Sequence, residues 1–154
     1  AKEHFASAAT QQIMSQLYPH IFSSARIGKT MVAASVGGEL HEIGIRMVAD
    51  FFEMEGWDTY YMGANTPADS IESAIRENNA DLLALSAAMP YHRSVLKEVI
   101  EIIRKNMGDK APKIMVGGNA IKNHQDGKSV FNADDYAKDA QEAIAIANKL
   151  VNGS

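Results

Sequence analysis

The sequence predicts a doubly wound α/β fold, and three observations carry that prediction. Short apolar segments without polar alternation recur along the chain, as expected for strands that are buried on both faces. Segments with helical spacing of apolar residues separate them. Glycines follow the apolar segments at Gly37-Gly38, Gly63 and Gly117-Gly118, where strands commonly end. Alternating strands and helices indicate a parallel sheet that is covered by helices on both sides.

Each element follows from its own local pattern. The predicted strands cover residues 29–36, 57–62, 81–88, 113–116 and 133–136, and the predicted helices cover 42–55, 92–106 and 138–151. A further helix begins at Pro67 with Thr66 as its expected N-cap, and residues 123–132 are interpreted as a loop with a short helix. On the helix over 92–106, Val95, Val99, Ile102 and Ile103 are expected to share the buried face, and Met31, Met47, Met54 and Met62 are interpreted as core residues. Five strands with right-handed crossovers favour the flavodoxin-like (Rossmann-like) strand order 2-1-3-4-5.

Composition limits the classes of function. The chain has 154 residues, a net charge of −4 and no cysteine. The missing basic excess argues against direct nucleic-acid binding by this chain, and the missing thiols exclude disulfides, thiolate metal sites and thiol nucleophiles. No apolar run approaches the roughly 20 residues of a membrane-spanning helix and no signal peptide is visible. We therefore expect a cytoplasmic protein without a membrane partner.

The N-terminal residues differ from the rest. Ala6–Leu17 is rich in strong helix formers, and Pro19 follows its end, as is common after a helix. The first residues already have the composition of a helix interior, so we expect a fragment of a longer protein.

The predicted strand order places a ligand site at the carboxyl ends of the first, third and fourth strands. The loops there are Gly37–His41, Ser86–Pro90 and Gly117–Ala120, and their small residues would let a ligand lie against the backbone. His41 is the imidazole of this edge, and Glu39 is close enough in sequence to accept its second ring N–H. One protein ligand is too few for a bare zinc site. It is enough for the axial position of a metal that a macrocycle already holds.

The segment Glu39-Leu40-His41-Glu42-Ile43-Gly44 resembles the D-x-H-x-x-G signature of cobalamin (vitamin B12) binding domains, with Glu in place of Asp. Ser86 stands where that family has its serine element, and Gly117-Gly118 where it has a glycine pair. The resemblance covers roughly Lys29 to the C-terminus. It implies that His41 is the axial ligand of cobalt in the base-off, His-on mode. It further implies that Ser86 hydrogen-bonds near the base of the nucleotide arm and that Gly117 and Gly118 line the path of this arm. Ala88 is another candidate for cofactor binding, and Ser35 is a weaker one.

A narrower resemblance concerns the sequences GGELHEIG, MVADFFE and YMGANTP, which are more similar to sensory B12 domains of the photoreceptor-regulator type. It implies that residues 1–22 are the last helix of an upstream helical-bundle cap and that residues 23–154 are the B12-binding domain. Glu3-His4 resembles the Glu-His pair of that helix. His92 and His124 are candidates for contact with the corrin ring.

Three functions compete. A sensory or regulatory domain with an output domain, partner protein or homo-oligomer is the main hypothesis. A corrinoid carrier that passes a methyl group between methyltransferase partners is the alternative. The adenosyl, methyl or hydroxo form of the cofactor stays open, and we expect no independent catalytic activity because the cofactor supplies the chemistry. A non-corrinoid receiver is disfavoured, since Ser86-Ala87-Ala88 replaces its phospho-acceptor aspartate.

Overall fold

The computed structural model describes residues 25–36, 42–121, 123 and 125–152, with the side chains of Glu42 and Ile43 excepted. The predicted N-terminal cap helix therefore lies outside the described residues. The strands are β1 (Thr30–Ser35), β2 (Asp58–Ala64), β3 (Leu82–Ser86), β4 (Lys113–Gly117) and β5 (Asp135–Ala137). The α-helices are α1 (Glu42–Met54), α2 (Ala68–Asn78), α3 (Arg93–Met107) and α4 (Ala140–Asn152). Short 3-10 turns cover Pro90–His92 and Gly108–Lys110, and a π-helical turn covers Asp126–Val130.

The five strands form one parallel sheet in the order β2-β1-β3-β4-β5. This confirms the predicted flavodoxin-like fold class and strand order. The order reverses between β1 and β3, so the carboxyl ends of these two central strands diverge into loops on opposite faces of the sheet. None of the helices within the described residues has the length and apolar character that crossing a bilayer requires.

Alternating side chains divide the core into two layers. Even-numbered residues of β1, such as Val32 and Ala34, pack with Ile71 of α2 and Ile100 of α3 on one face. Odd-numbered residues, such as Met31 and Ala33, pack with Phe52 of α1 and Ala147 of α4 on the other. The second layer contains more alanine, and this difference in side-chain volume leaves room near the sheet edge where the predicted site lies.

Three local predictions are wrong. Thr66 does not cap α2: Pro67 is the N-cap, and the Thr66 hydroxyl donates instead to the carbonyl oxygens of Met62 or Gly63. β2 does not end at Gly63, because Gly63 has a φ of +91° at a register irregularity and the strand continues to Ala64. Val95 is exposed, and Leu96 takes its place on the buried face of α3.

Candidate functional site

The last register row of the sheet contains only small residues. Ser35 of β1 pairs with Ala64 of β2 and with Ser86 of β3. Ser86 pairs with Gly117 of β4, and Gly117 pairs with Ala137 of β5. The carboxyl edge of the sheet therefore has short side chains on all five strands. Ser86 and Gly117, each the first residue of a predicted site loop, lie next to each other in this row.

A cavity of about 310 Å³ lies beside this row, between the sheet, α1 and α4. We call it the α1/α4 cavity. Its volume is at the lower end of those that hold small molecules. Its lining residues are Gly44, Ile45, Met47, Val48, Phe51, Ala84, Leu85, Ser86, Met115, Val116, Gly117, Gly118, Ala137, Lys138, Asp139, Ala140 and Ala143.

The cavity is open because small residues face it from both helices. A Cβ added at Gly44 of α1 would meet no atom within 4 Å, and α4 contributes Ala140 and Ala143. Met47 and Phe51 lie in the wall while 38% and 37% of their surfaces remain exposed. The interpretation of Met47 as a core residue is therefore wrong, and so is that of Met54, which is also exposed. An apolar wall that reaches solvent is unusual without a ligand or partner to cover it.

The glycine pair at the end of β4 is required by the backbone geometry there. Gly118 has a φ of +102°, and a Cβ there would lie 2.4 Å from the carbonyl oxygen of Ala87. A Cβ at Gly117 would lie 3.0 Å from the carbonyl oxygen of Ala137. Only glycine at position 118 allows the loop after β4 to approach the segment after β3 this closely, and a side chain at position 117 would crowd β5. Both glycines line the α1/α4 cavity, so the same close approach that fixes the loops also shapes the wall.

The polar side chains that line the cavity are Ser86, Lys138 and Asp139. Ser86 follows Ala84 by two residues, so strand alternation directs its side chain to the same face as Ala84, toward α1 and α4. The Asp139 carboxylate accepts a hydrogen bond of 2.8 Å from the Glu142 backbone N–H in the first turn of α4. Lys138 lies 4.0 Å from the Glu142 carboxylate. Both charged groups have partners at the rim, so the interior formed by the described residues is apolar with one hydroxyl.

The remaining predicted residues divide into three sets. Ser35 is buried beside Ser86, and Ala88 is buried two residues past β3, but neither lines the α1/α4 cavity. The backbones of Glu42, Ile43 and Gly44 form the first residues of α1. Glu39, Leu40 and His41 lie outside the described residues, as do Gly37, Gly38 and His124. The axial role of His41 stays a prediction, and α1 begins at the residue that follows His41.

His92 lies at the same edge of the sheet, at the end of the 3-10 turn after β3. Its ring packs edge-on against Tyr91 with 4.4 Å between the centroids. Its Nδ1 atom is buried without a hydrogen-bond partner among the described residues. Contact between His92 and a ligand stays a prediction.

Sequence reasoning missed one arrangement at this edge. The guanidinium of Arg93, the first residue of α3, pairs with the Asp126 carboxylate at 2.9 Å and also donates to the carbonyl oxygen of Ala120. The hydrogen bonds that Arg93 donates to the Asp126 carboxylate raise the pKa of Arg93 above its ordinary value. No pattern in the sequence joins these residues, because each belongs to a different loop or helix.

Within the part of the chain that the structure describes, no three His, Asp or Glu side chains gather where they could hold a metal ion. The described residues thus offer a cavity for an organic group and no multidentate site for a bare metal.

Comparison with known proteins identifies relatives of this chain. Residues 29–145 match the family model described as the B12 binding domain. Several dimethylamine corrinoid proteins of Methanosarcina are similar to the chain. Protein 1 of Methanosarcina acetivorans is 29% identical over 146 residues, which are 95% of this chain and 67% of that protein. The HTH-type transcriptional repressor CarA of Myxococcus xanthus is 29% identical over 154 residues, which are 99% of this chain and 51% of the repressor.

Among solved structures, the methanol:cobalamin methyltransferase complex MtaBC of Methanosarcina barkeri contains a chain that superposes with a TM-score of 0.74 at 22% identity, over 96% of this chain and 56% of that one. This likeness confirms the fold. The chain spans between about half and two thirds of the length of these proteins.

Proposed function

The chain belongs to the B12 binding domain family, and its cofactor is cobalamin. From this premise we propose that the chain is a corrinoid carrier, which presents a methyl group on cobalt to methyltransferase partners. The observation that carries the proposal is the match to dimethylamine corrinoid proteins over 95% of the chain. The bound corrinoid supplies the methyl-transfer chemistry, and the protein supplies ligation, orientation and exclusion of water.

In this proposal His41 is the axial ligand of cobalt, and Glu39 accepts the hydrogen bond from the second ring nitrogen. Such a partner fixes the tautomer and raises the basicity of a ligating imidazole. Both roles rest on the sequence resemblance. His41 immediately precedes α1, whose first turn contains Gly44 at the α1/α4 cavity.

The nucleotide arm of the cofactor would occupy the α1/α4 cavity. Its apolar walls suit a flat aromatic base, and the Ser86 hydroxyl offers one hydrogen bond in an otherwise apolar interior. The space above Gly44 would be filled by any side chain at that position. These features support the placement of the arm there, with Gly117 and Gly118 along its path.

A carrier also agrees with the polar groups of the site. Lys138 and Asp139 are engaged with α4, which leaves Ser86 as the cavity's interior polar group. This arrangement suits a cavity that holds the nucleotide arm. The methyl group would be carried on cobalt, outside this cavity, where the corrinoid supplies the transfer chemistry.

A sensory or regulatory function is the second candidate, and the match to the repressor CarA over 99% of the chain favours it. In that case the upstream cap, an output partner and a homo-oligomer would transmit the state of the cofactor. The cap, the oligomer and the cytoplasmic location stay predictions.

The ligation proposal is tested by absorption spectra of the chain mixed with hydroxocobalamin. We expect a His-on spectrum for the wild type and its loss in His41→Ala. His20→Ala is the matched control, because His20 lies outside the segment that resembles the cobalamin-binding signature. A His41→Ala spectrum identical to that of the wild type would remove His41 from the axial position.

Carrier and sensor are separated by two measurements. We expect the chain loaded with methylcobalamin to lose the methyl group to a corrinoid-dependent methyltransferase and its acceptor faster than free methylcobalamin does. Equal rates would contradict the carrier. A sensor would instead change its sedimentation coefficient when the chain loaded with adenosylcobalamin is illuminated.

A further inference from the structure

The Arg93 side chain connects the start of α3 to the segment after β4. Its Nη1 atom donates to the carbonyl oxygen of Ala120. Its two terminal nitrogens also bind the Asp126 carboxylate in a bidentate manner, with Nη1–Oδ2 and Nη2–Oδ1 distances of 3.1 and 2.9 Å. The guanidinium carbon lies 4.9 Å from the centre of the buried Phe131 ring. A carbonyl oxygen, a carboxylate and an aromatic ring therefore fix the position of the Arg93 side chain.

Ala120 belongs to the same loop as Gly118. The Ala120 N–H donates to the carbonyl oxygen of Ala87 at 3.0 Å, and the Ile121 N–H donates to that of Gly118 at 3.1 Å. The loop is thus held on one side by the segment after β3 and on the other by Arg93. Gly117 and Gly118, at its start, form part of the wall of the α1/α4 cavity.

We propose that Arg93 is a positioning residue for the nucleotide arm of cobalamin. It holds Ala120 and, through it, the wall formed by Gly117 and Gly118 at the distance from α1 that admits the arm. The inference rests on the proposed placement of the arm in the α1/α4 cavity. Arg93 itself does not line that cavity, so its effect is transmitted by the loop.

The chemistry of the contact requires arginine. A planar guanidinium can bind a carboxylate with two parallel hydrogen bonds and lie over an aromatic ring, whereas a lysine ammonium acts as a point charge. Arg93→Lys would retain the positive charge and one hydrogen bond. It would lose the bidentate contact with Asp126. We expect it to recover part of the binding that Arg93→Met loses.

Arg104 provides a matched control on the same helix. It also pairs with a carboxylate, Asp134 at 3.1 Å, and donates to a backbone carbonyl, that of Asn132 at 2.8 Å. Its exposed fraction is 28%, against 29% for Arg93. Asp134 bonds the first residues of β4 through the Ile114 N–H, at the amino edge of the sheet and away from the cavity.

The experiment compares two ligands, hydroxocobalamin and cobinamide, the corrinoid that lacks the nucleotide arm. Dissociation constants are measured by absorption titration for the wild type, Arg93→Met, Arg93→Lys and Arg104→Met. We expect Arg93→Met to weaken cobalamin binding by roughly 10-fold, a loss similar to the smallest seen when a group that orients a metal ligand is removed. Cobinamide binding should be unchanged. Arg104→Met should lower thermal stability without changing the ratio of the dissociation constants for the two ligands.

Equal weakening of both ligands by Arg93→Met would overturn the inference, because it would show a general structural role. Equal affinity of the wild type for cobalamin and cobinamide would overturn the placement of the arm, and the inference with it. If Arg93→Met does not fold, Asp126→Asn takes its place, since it weakens the same bidentate contact and retains an acceptor oxygen. If Asp126→Asn leaves the ratio of the cobalamin and cobinamide affinities unchanged, the proposed role of the Arg93–Asp126 contact is refuted.

Discussion

Replacement of Gly44 by a residue with a side chain should change stability and cofactor binding in opposite directions. Gly44 is the third residue of α1, and a Cβ there would project into open space at the α1/α4 cavity. Glycine within a helix costs roughly 0.5–1 kcal/mol relative to alanine. Because Gly44 lies in the first turn, we expect Gly44→Ala to stabilise the cofactor-free chain by about 0.5 kcal/mol, which raises Tm by about 1–2 °C.

Binding should change in the opposite direction. In Gly44→Leu the new side chain would occupy space that the nucleotide arm needs, and forcing extra atoms into a packed site costs about 1–3 kcal/mol. That free energy corresponds to a loss of affinity of about 5- to 150-fold. Gly44→Ala should give a smaller loss, because it adds one methyl group.

The assay pairs thermal unfolding followed by circular dichroism with absorption titration by hydroxocobalamin. Cobinamide is the control ligand, and its affinity should not depend on residue 44. Wild-type affinity for cobalamin in Gly44→Leu would refute the reasoning, since the cavity would then be unnecessary for the arm. A fall in both Tm and affinity would point to damage of α1.

The other predictions concern the loop after β4 and the exposed face of α2. Gly118→Ala should lose roughly 1–3 kcal/mol of unfolding free energy in urea titrations, because φ is positive and the new Cβ would meet the Ala87 carbonyl oxygen; wild-type stability would contradict the close approach. The hydrogen bond from Asn106, followed by that from Arg76, lowers the pKa of Glu72 below its ordinary value of 4.5. Its stabilising contribution is present above pH 4.5 and is lost as the pH falls through the depressed pKa, so the stability of Glu72→Gln should fall less on acidification; identical pH profiles would be the contrary result.

The fold was largely predictable because the signals that determine it are local. The apolar character of the strands predicted a buried parallel sheet, and the strand order followed from the number of βα units. Errors occurred where a tertiary contact outweighed a local preference. Gly63 reads as a strand end, yet its positive φ accommodates a register irregularity within β2. Val95 has the expected spacing for a core position but lies at the margin of the buried face.

The site was predictable only in part. Ser86, Gly117 and Gly118 were predicted from their order along the chain, and the sheet brings them together because parallel strands end at one edge. The cavity wall contributed by Met47 and Phe51 depends on how α1 packs beside α4, which no local pattern specifies. Arg93 and Asp126 are separated by 33 positions, and a charged pair at that distance has no periodic signal.

The row of small residues at the carboxyl edge ties ligand binding to strand register. A slip of β3 by one position would turn Leu85 toward α1 and α4 in place of Ser86, since successive side chains of a strand alternate between faces. With the nucleotide arm placed as proposed, a misregistered chain would therefore lack the Ser86 hydroxyl in the α1/α4 cavity even with its secondary structure intact. Mass action then favours the correct alignment: at a free cofactor concentration of about 100 times Kd, the native chain gains about 2.7 kcal/mol that its misaligned competitors do not.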